Sequence, residues 1–185
     1  MTGATDTAVL RIDSERLWES LSELGAVGAY HDSDTDLDGV RRLALTDDDI
    51  AGREPVLGWM RDAGLTIRMD AIGNVYARRA GLDDSLAPVL VGSHIDSVAT
   101  AGRFDGCLGV LGGLEVVRTL NDHGVGTRRP FEVAIFTEEE GARFGTDMLG
   151  SATAAGRIPL QQARSRTDRD GVSVGEELDR HGLDR

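Results

Sequence analysis

The feature that most constrains this chain is a pair of apolar segments that each run directly into charged side chains. The first segment, residues 88–93, is followed by His94 and Asp96, and the second, residues 131–137, is followed by three consecutive glutamates. A glycine-rich helical pattern over residues 106–121 lies between them, which predicts a parallel βαβ unit of two buried strands and a helix. Because ligands bind at the carboxyl ends of strands in parallel sheets, we expect both sets of polar side chains to meet there.

The polar residues after the first strand suit metal coordination. His94 can supply a neutral imidazole nitrogen, and Asp96, two residues later, points to the same side of an extended chain and can orient the site. Asp105 stands in a short turn that returns toward His94, where its carboxylate can bridge two cations. Each motif also has a simpler interpretation, which is a histidine bonded to a neighbouring carboxylate for His94 and a helix cap for Asp105.

Glu138, Glu139 and Glu140 place three like charges at the end of an apolar strand. Crowded carboxylates repel each other, and divalent cations would remove that penalty. We therefore expect one glutamate to bind a metal ion and its neighbour to transfer a proton from water to a leaving nitrogen. A solvated acidic patch is the alternative. Histidine and carboxylate donors together suit hard or borderline divalent cations.

Composition restricts the class of protein and of partner. The 185 residues are 40% hydrophobic and 28% charged, which is typical of a globular domain. The net charge of −12 argues against nucleic acid and anionic membranes as partners. Cys107 is the only cysteine, and no basic stretch followed by an apolar run marks a signal peptide. We therefore expect a cytoplasmic protein with a small-molecule substrate.

Periodicity and turn residues predict the remaining elements. Residues 1–12 are expected to be disordered, Ser14 to cap a helix over residues 15–24, and residues 27–44, which lack periodicity, to form a loop. A second helix is predicted to start at residues 46–49 and to end at Gly64, with Pro55 either kinking it or marking its start. Shorter patterns predict strands over residues 65–69 and 75–79 and a final helix over residues 174–181.

Three segments resemble the two-metal amidohydrolases and peptidases related to aminoacylase and carboxypeptidase G. They are Gly92-Ser-His-Ile-Asp-Ser97, Ala101-Gly-Arg-Phe-Asp-Gly106, and the stretch from Phe136 to Ser151 that contains Glu-Glu-Gly and Met-x-Gly-Ser. Within this superfamily the sequence is most similar to the group of N-carbamoyl-L-amino-acid hydrolase, allantoate amidohydrolase and β-ureidopropionase. Further matches are Arg42-Leu-Ala-Leu-Thr46, Trp59-Met60, Asp70-Ala-Ile-Gly-Asn74 and Asp170-Gly-Val-Ser-Val174.

The resemblance implies a fold and a division of roles. The fold is α/β, a zinc-exopeptidase-like three-layer sandwich with a mixed, largely parallel sheet. His94 would bind one metal ion, Asp105 would bridge both ions, and Glu140 would bind the other. Glu139 would be the general base, Asp96 would orient the metal site, and the peptide bond after Asp105 would be cis. The two divalent ions would be zinc or manganese, with cobalt or nickel as alternatives.

The implied function is hydrolysis of a non-peptide carbon–nitrogen bond in a linear amide or amidine by metal-activated water. The implied substrates are an N-carbamoyl-L-amino acid, allantoate or a ureido acid. Two alternatives stay open, a related aminoacylase or metallopeptidase and a catalytically inactive truncated remnant. Glu138 stands where relatives often carry asparagine, a difference that we expect to be tolerated.

The resemblance identifies residues 1–185 with the N-terminal part of a metal-dependent catalytic domain. The family also uses two further histidines and an inserted dimerisation domain, and His31, His123 and His181 match none of its ligand motifs. We therefore expect an incomplete fragment in which each metal lacks one histidine and activity is lost or nearly lost. Marginal stability with an open sheet edge is expected for this chain, and a homodimer for the full-length parent.

Overall fold

The computed structural model describes residues 10–183. In chain order the elements are α1 (Ser14–Ala26), β1 (Ala29–Asp32), β2 (Leu37–Val40), α2 (Asp47–Asp62), β3 (Thr66–Met69), β4 (Val75–Arg79), β5 (Val89–His94), α3 (Cys107–Asp122), β6 (Phe131–Phe136), α4 (Leu149–Ala154), α5 (Leu160–Arg164) and α6 (Val174–Arg180). Residues 1–12 are expected to be disordered, and positions 1–9 of this stretch lie outside the described residues. No helix of the described part has the length and hydropathy that a membrane crossing requires.

The central sheet has four strands in the order β3-β4-β6-β5. β5 and β6 are parallel, with His94 opposite Phe136, and α3 connects them, which confirms the predicted βαβ unit. The sheet is mixed, but the expectation that it is largely parallel is wrong for the described residues, because β4 pairs antiparallel with both β3 and β6. The turn over residues 70–74 accounts for the antiparallel β3–β4 pair, since Asp70 accepts hydrogen bonds from the backbone N–H groups of Ile72 and Asn74 and folds β4 back on β3.

The three long helices pack against one face of this sheet. The main core combines alternate residues of β4 and β6 with apolar residues of α1, α2 and α3, and each fully buried aliphatic side chain contributes about 1.5–3 kcal/mol. The opposite face carries Tyr76, Arg78 and Glu132, with 3.0 Å between Arg78 Nη1 and Glu132 Oε1. The third layer of the expected sandwich stays a prediction.

β5 is less buried than the sequence indicated. Val89 and Leu90 are 46% and 49% exposed, whereas the β6 residues Val133, Ala134 and Ile135 are fully buried. In the described part of the chain β5 pairs with β6 alone, so it is an edge strand, while β6 has a partner on each side. Hydrophobicity alone does not distinguish an edge strand from a central one.

Two predictions about the N-terminal third are wrong. The cap of α1 is Asp13 rather than Ser14, because the Asp13 carboxylate accepts from the N–H groups of Glu15 and Arg16. The predicted loop over residues 27–44 contains the antiparallel pair β1–β2, whose short strands lack the apolar alternation that marks a half-buried strand.

The predicted second helix is confirmed as α2. It begins after Thr46, whose hydroxyl accepts from the N–H of Asp49, and Pro55 lies inside it. The last predicted helix is confirmed as α6, and it packs with α4 and α5 around a second, smaller core. The buried residues of that core are Leu45, Ile72, Phe144, Leu149, Ala163, Val174 and Leu178.

Candidate metal centre

His94, Asp105 and Glu140 converge where β5 and β6 end. One donor atom from each residue lies within 4.8 Å of the other two. Nε2 of His94 is 3.9 Å from Oδ1 of Asp105 and 4.0 Å from Oε1 of Glu140. Donors bound at about 2.1 Å to a tetrahedral cation are about 3.4 Å apart, so the three side chains need to close only slightly to hold one. The donor set and its spacing therefore fit a divalent cation.

The tautomer of His94 also favours coordination. Nδ1 of His94 lies 2.9 Å from the backbone carbonyl oxygen of Asp96, to which it donates its hydrogen. A hydrogen on Nδ1 leaves the lone pair of Nε2 directed toward Asp105 and Glu140. The sequence predicted that Asp96 would orient this ring through its carboxylate, whereas its backbone oxygen is the closer group.

Gly106 allows Asp105 to approach His94. Its φ of 67° and ψ of −51°, together with a 2.6 Å hydrogen bond from Cys107 N to Asp105 O, form a γ-turn with positive φ that L-residues rarely adopt. A Cβ on Gly106 would lie 2.5–2.6 Å from three atoms of the His94 ring. The described residues contain no cis peptide bond, so the implied cis bond after Asp105 is not present, and the γ-turn provides the chain reversal instead.

Asp96 is 3% exposed and lies next to the backbone of Glu139 and Glu140. Its carboxylate oxygens are 3.4 and 3.3 Å from the N–H groups of Glu139 and Glu140. Burial, and then the nearby charge of Asp49, raise the pKa of Asp96 to about 6, while His94 and these N–H groups act in the opposite direction. Asp96 thus contacts both the histidine and the glutamate segment.

The three consecutive glutamates diverge in direction. Glu140 turns toward His94 and Asp105. Glu139 binds Ser151 through both carboxylate oxygens, with 2.8 Å from Ser151 N to Oε1 and 2.7 Å from Ser151 Oγ to Oε2. Sequence patterns indicate no individual role for Ser151, although it closes the Met-x-Gly-Ser motif that follows the glutamates.

Glu138 points into the protein and is fully buried. Oε1 accepts hydrogen bonds from the N–H groups of Arg143 (3.2 Å) and Phe144 (2.7 Å), whereas Oε2 has no hydrogen-bond partner among the described residues. Burial is the main cause that raises the pKa of Glu138 to about 7, and the charge of Asp96 adds to it. The repulsion expected among the three glutamates is therefore reduced because one of them is held apart.

Glu138→Gln is expected to stabilise the metal-free protein at pH 8 by up to about 3 kcal/mol. A carboxyl with a pKa near 7 in the folded state and about 4.3 in the unfolded state binds more protons when folded. Its contribution to stability is therefore fully present below pH ~4 and is lost as the pH rises through 7. In urea unfolding from pH 4 to 8, the free energy of unfolding of the variant should depend less on pH than that of the wild type. The pH dependence that remains should include the part due to Asp96.

The control for this measurement is Glu19→Gln on α1, which removes the same charge from an exposed residue. It should leave the pH dependence of unfolding as in the wild type. An equal slope in wild type and Glu138→Gln would contradict the assigned burial effect.

Comparison with known proteins identifies a family domain in the chain. Residues 90–177 match peptidase family M20/M25/M40. The N-carbamoyl-L-amino acid amidohydrolase of Geobacillus stearothermophilus is 46% identical over 173 residues, which are 94% of this chain and 41% of that protein. Residues 90–177 therefore carry a peptidase family M20/M25/M40 domain. The M20 match contains all five residues predicted for the site, namely His94, Asp96, Asp105, Glu139 and Glu140.

Further relatives of this chain include amidases of known structure. A hydantoinase/carbamoylase family amidase from Burkholderia ambifaria superimposes with a TM-score of 0.90 at 52% identity, over 95% of this chain and 42% of that one. A ureidoglycolate hydrolase of Arabidopsis thaliana is 38% identical over 165 residues, 89% of this chain and 34% of that protein. The chain thus spans about two fifths of the length of these relatives.

Proposed function

We propose that a protein containing this chain hydrolyses a non-peptide carbon–nitrogen bond of a linear amide or amidine with two divalent metal ions. The observation that carries the proposal is the convergence of His94, Asp105 and Glu140, next to which Ser151 holds the carboxylate of Glu139. Zinc or manganese suits these donors, and cobalt or nickel is also accepted by nitrogen and oxygen ligands. The proposed substrates are N-carbamoyl-L-amino acids, allantoate and ureido acids.

Each residue has a proposed part in the site. His94 would hold one ion, Glu140 the other, and the two oxygens of Asp105 would bridge them. Asp96 would fix the ring of His94 through its backbone oxygen and the glutamate segment through its carboxylate. The domain boundary and the homodimer stay predictions from the resemblance, and the cytoplasmic location stays a prediction from composition.

The proposed chemistry is a proton transfer by Glu139. Divalent cations, when bound, supply Lewis acidity that lowers the pKa of water and polarises a carbonyl oxygen. Glu139 takes a proton from the attacking water and delivers it to the leaving nitrogen, so that the amine departs neutral. Ser151 keeps both oxygens of that carboxylate in place before the reaction.

The names of the relatives support the substrate class. The first relatives, at 46% and 44% identity, are N-carbamoyl-L-amino acid amidohydrolases, whereas the ureidoglycolate hydrolases and the allantoate deiminase are 36–38% identical. We therefore place N-carbamoyl-L-amino acids first, with ureido acids and allantoate as further substrates to assay.

Metal binding by the 185-residue chain tests the donor set. Titration calorimetry with Zn²⁺ and Mn²⁺ should show that His94→Ala weakens binding by about 100-fold or more, since loss of even a supporting residue costs 10–100-fold. His123→Ala is the matched control, because His123 lies at the far end of α3 and bonds Thr119 O there. Equal affinity in wild type and His94→Ala would rule out the proposed centre.

Hydrolysis is tested in a chimera in which this chain replaces the matching segment of the Geobacillus stearothermophilus relative. The chimera should release the amino acid from N-carbamoyl-L-amino acids when metal is present. Acyl amino acids and dipeptides in the same panel test the aminoacylase and peptidase alternative. A folded, metal-loaded chimera that cleaves none of these compounds would favour the inactive remnant.

A further inference from the structure

The side chain of Asn74 connects three segments that lie far apart in the sequence. Asn74 is fully buried, just before β4. Its Oδ1 accepts from the N–H of Thr137 at 2.9 Å, and its Nδ2 donates to Asp70 Oδ2 at 2.9 Å and to Gly150 O at 3.0 Å. One buried amide therefore links the start of β4 to the end of β6 and to the first turn of α4.

The two remote partners of Asn74 flank the proposed general base. Thr137 directly precedes the three glutamates, and Gly150 directly precedes Ser151, which binds Glu139. A second link joins the same partners, since Gly150 N donates to Thr137 O at 2.8 Å. The hydrogen bonds of Asn74 thus contribute to the position of Ser151 relative to Glu139.

The packing at this junction leaves no free space. A Cβ added to Gly150 would overlap Oδ1 of Asn74 and would lie 2.6 Å from the backbone N and O of Thr137. A glycine is therefore required for α4 to approach the end of β6 this closely. Small displacements of Asn74 or Gly150 would move Ser151 directly.

We propose that Asn74 is a positioning residue for Glu139. Its amide holds α4 against the end of β6, so that Ser151 fixes both oxygens of the Glu139 carboxylate in one orientation. The inference rests on the proposed function for the role of Glu139 as base, and it adds a residue that does not touch the metal donors. Buried amide networks of this kind hold one geometry because each unmade hydrogen bond is costly.

Asn74→Asp tests the hydrogen bond to Gly150 separately from the hydrogen bond to Thr137. The new carboxylate still accepts from Thr137 N–H, but it offers no hydrogen to Gly150 O and repels the carboxylate of Asp70. Amide hydrogen exchange of the 185-residue chain, followed by NMR, should then be at least tenfold faster at Ser151 and unchanged at Thr137. Amides of α1 and α2 should exchange as in the wild type, which a general loss of stability would not permit.

Tyr76→Phe is the matched control. It removes a 3.3 Å hydrogen bond to the same Asp70 oxygen without touching Gly150, so exchange at Ser151 should not change. If Asn74→Asp does not fold, Asn74→Ala introduces no charge and should speed exchange at both Ser151 and Thr137. Wild-type exchange at Ser151 in a folded Asn74 variant would overturn the proposal.

Kinetics of the same variants in the chimera separate this inference from the proposed function. Asn74→Asp should lower kcat at least tenfold with KM and metal content unchanged, and adding it to Ser151→Ala should cause little further loss, because both act through one contact. Additive losses would overturn the positioning role. An inactive wild-type chimera would overturn the proposed function. It would also overturn the role of Asn74 in positioning a catalytic base, even if Asn74→Asp speeds amide exchange at Ser151.

Discussion

Glu139→Gln is expected to lower kcat of the chimera by about 10³-fold, within the 10²–10⁴ range of general acid–base catalysis. Glutamine has the same shape, and its amide oxygen and nitrogen can keep both hydrogen bonds to Ser151. It cannot take a proton from water. Stopped assays with an N-carbamoyl-L-amino acid, together with metal analysis of the same sample, measure this effect.

The contrast with Glu140→Gln makes the assignment specific. Glu140 lies among the metal donors, so its replacement should reduce metal content as well as activity. Glu139→Gln should retain the metal content of the wild type and its melting temperature. More than a tenth of the wild-type kcat in Glu139→Gln would assign the proton transfer to another group.

Gly106→Ala is expected to have the second large effect, a loss of about 2–6 kcal/mol in the free energy of unfolding. Alanine at φ 67° and ψ −51° is strained by about 1–3 kcal/mol. Its Cβ would also overlap the His94 ring, and such overpacking adds a further cost of about 1–3 kcal/mol. Because the ring must move, Zn²⁺ affinity should fall at least tenfold, which calorimetry and urea unfolding can measure together.

Gly112→Ala provides the control within the same helix. Apart from the neighbouring residues and the backbone of the helix itself, no atom lies within 4 Å of a Cβ at Gly112, and its backbone is helical. Alanine there should stabilise the protein by about 0.5–1 kcal/mol through helix propensity and leave metal affinity unchanged. Equal effects of the two substitutions would show that the γ-turn does not set the geometry at His94.

The local patterns of the sequence predicted the elements that carry the site. The apolar runs before His94 and Glu138 became β5 and β6, and the helical pattern between them became α3. The polar side chains after the two strands meet because parallel neighbours end on the same side of a sheet. The convergence of these side chains therefore followed from residue order alone, whereas their metal chemistry is a proposal.

Other features could not be predicted from the sequence because they depend on partners that are distant in the sequence. The β1–β2 pair has no amphipathic signal, since its strands are short and Val40 is their only buried residue, and Asp13 caps α1 through geometry that Ser14 could equally have provided. The exposure of β5 depends on its place at the sheet edge rather than on its composition. Strand order and edge position are decided by the whole fold.

The sequence by itself determined the βαβ unit and the placement of His94 and the three glutamates at the ends of its two strands, because hydrophobic periodicity and strand polarity are local properties. Only the tertiary structure decided that Glu138 is buried, that Glu139 is held by Ser151, and that Asn74 connects β4, β6 and α4. The physical reason is that burial and hydrogen-bond pairing depend on which segments meet in space. Packing around two cores brings those segments together, and no spacing along the chain records it.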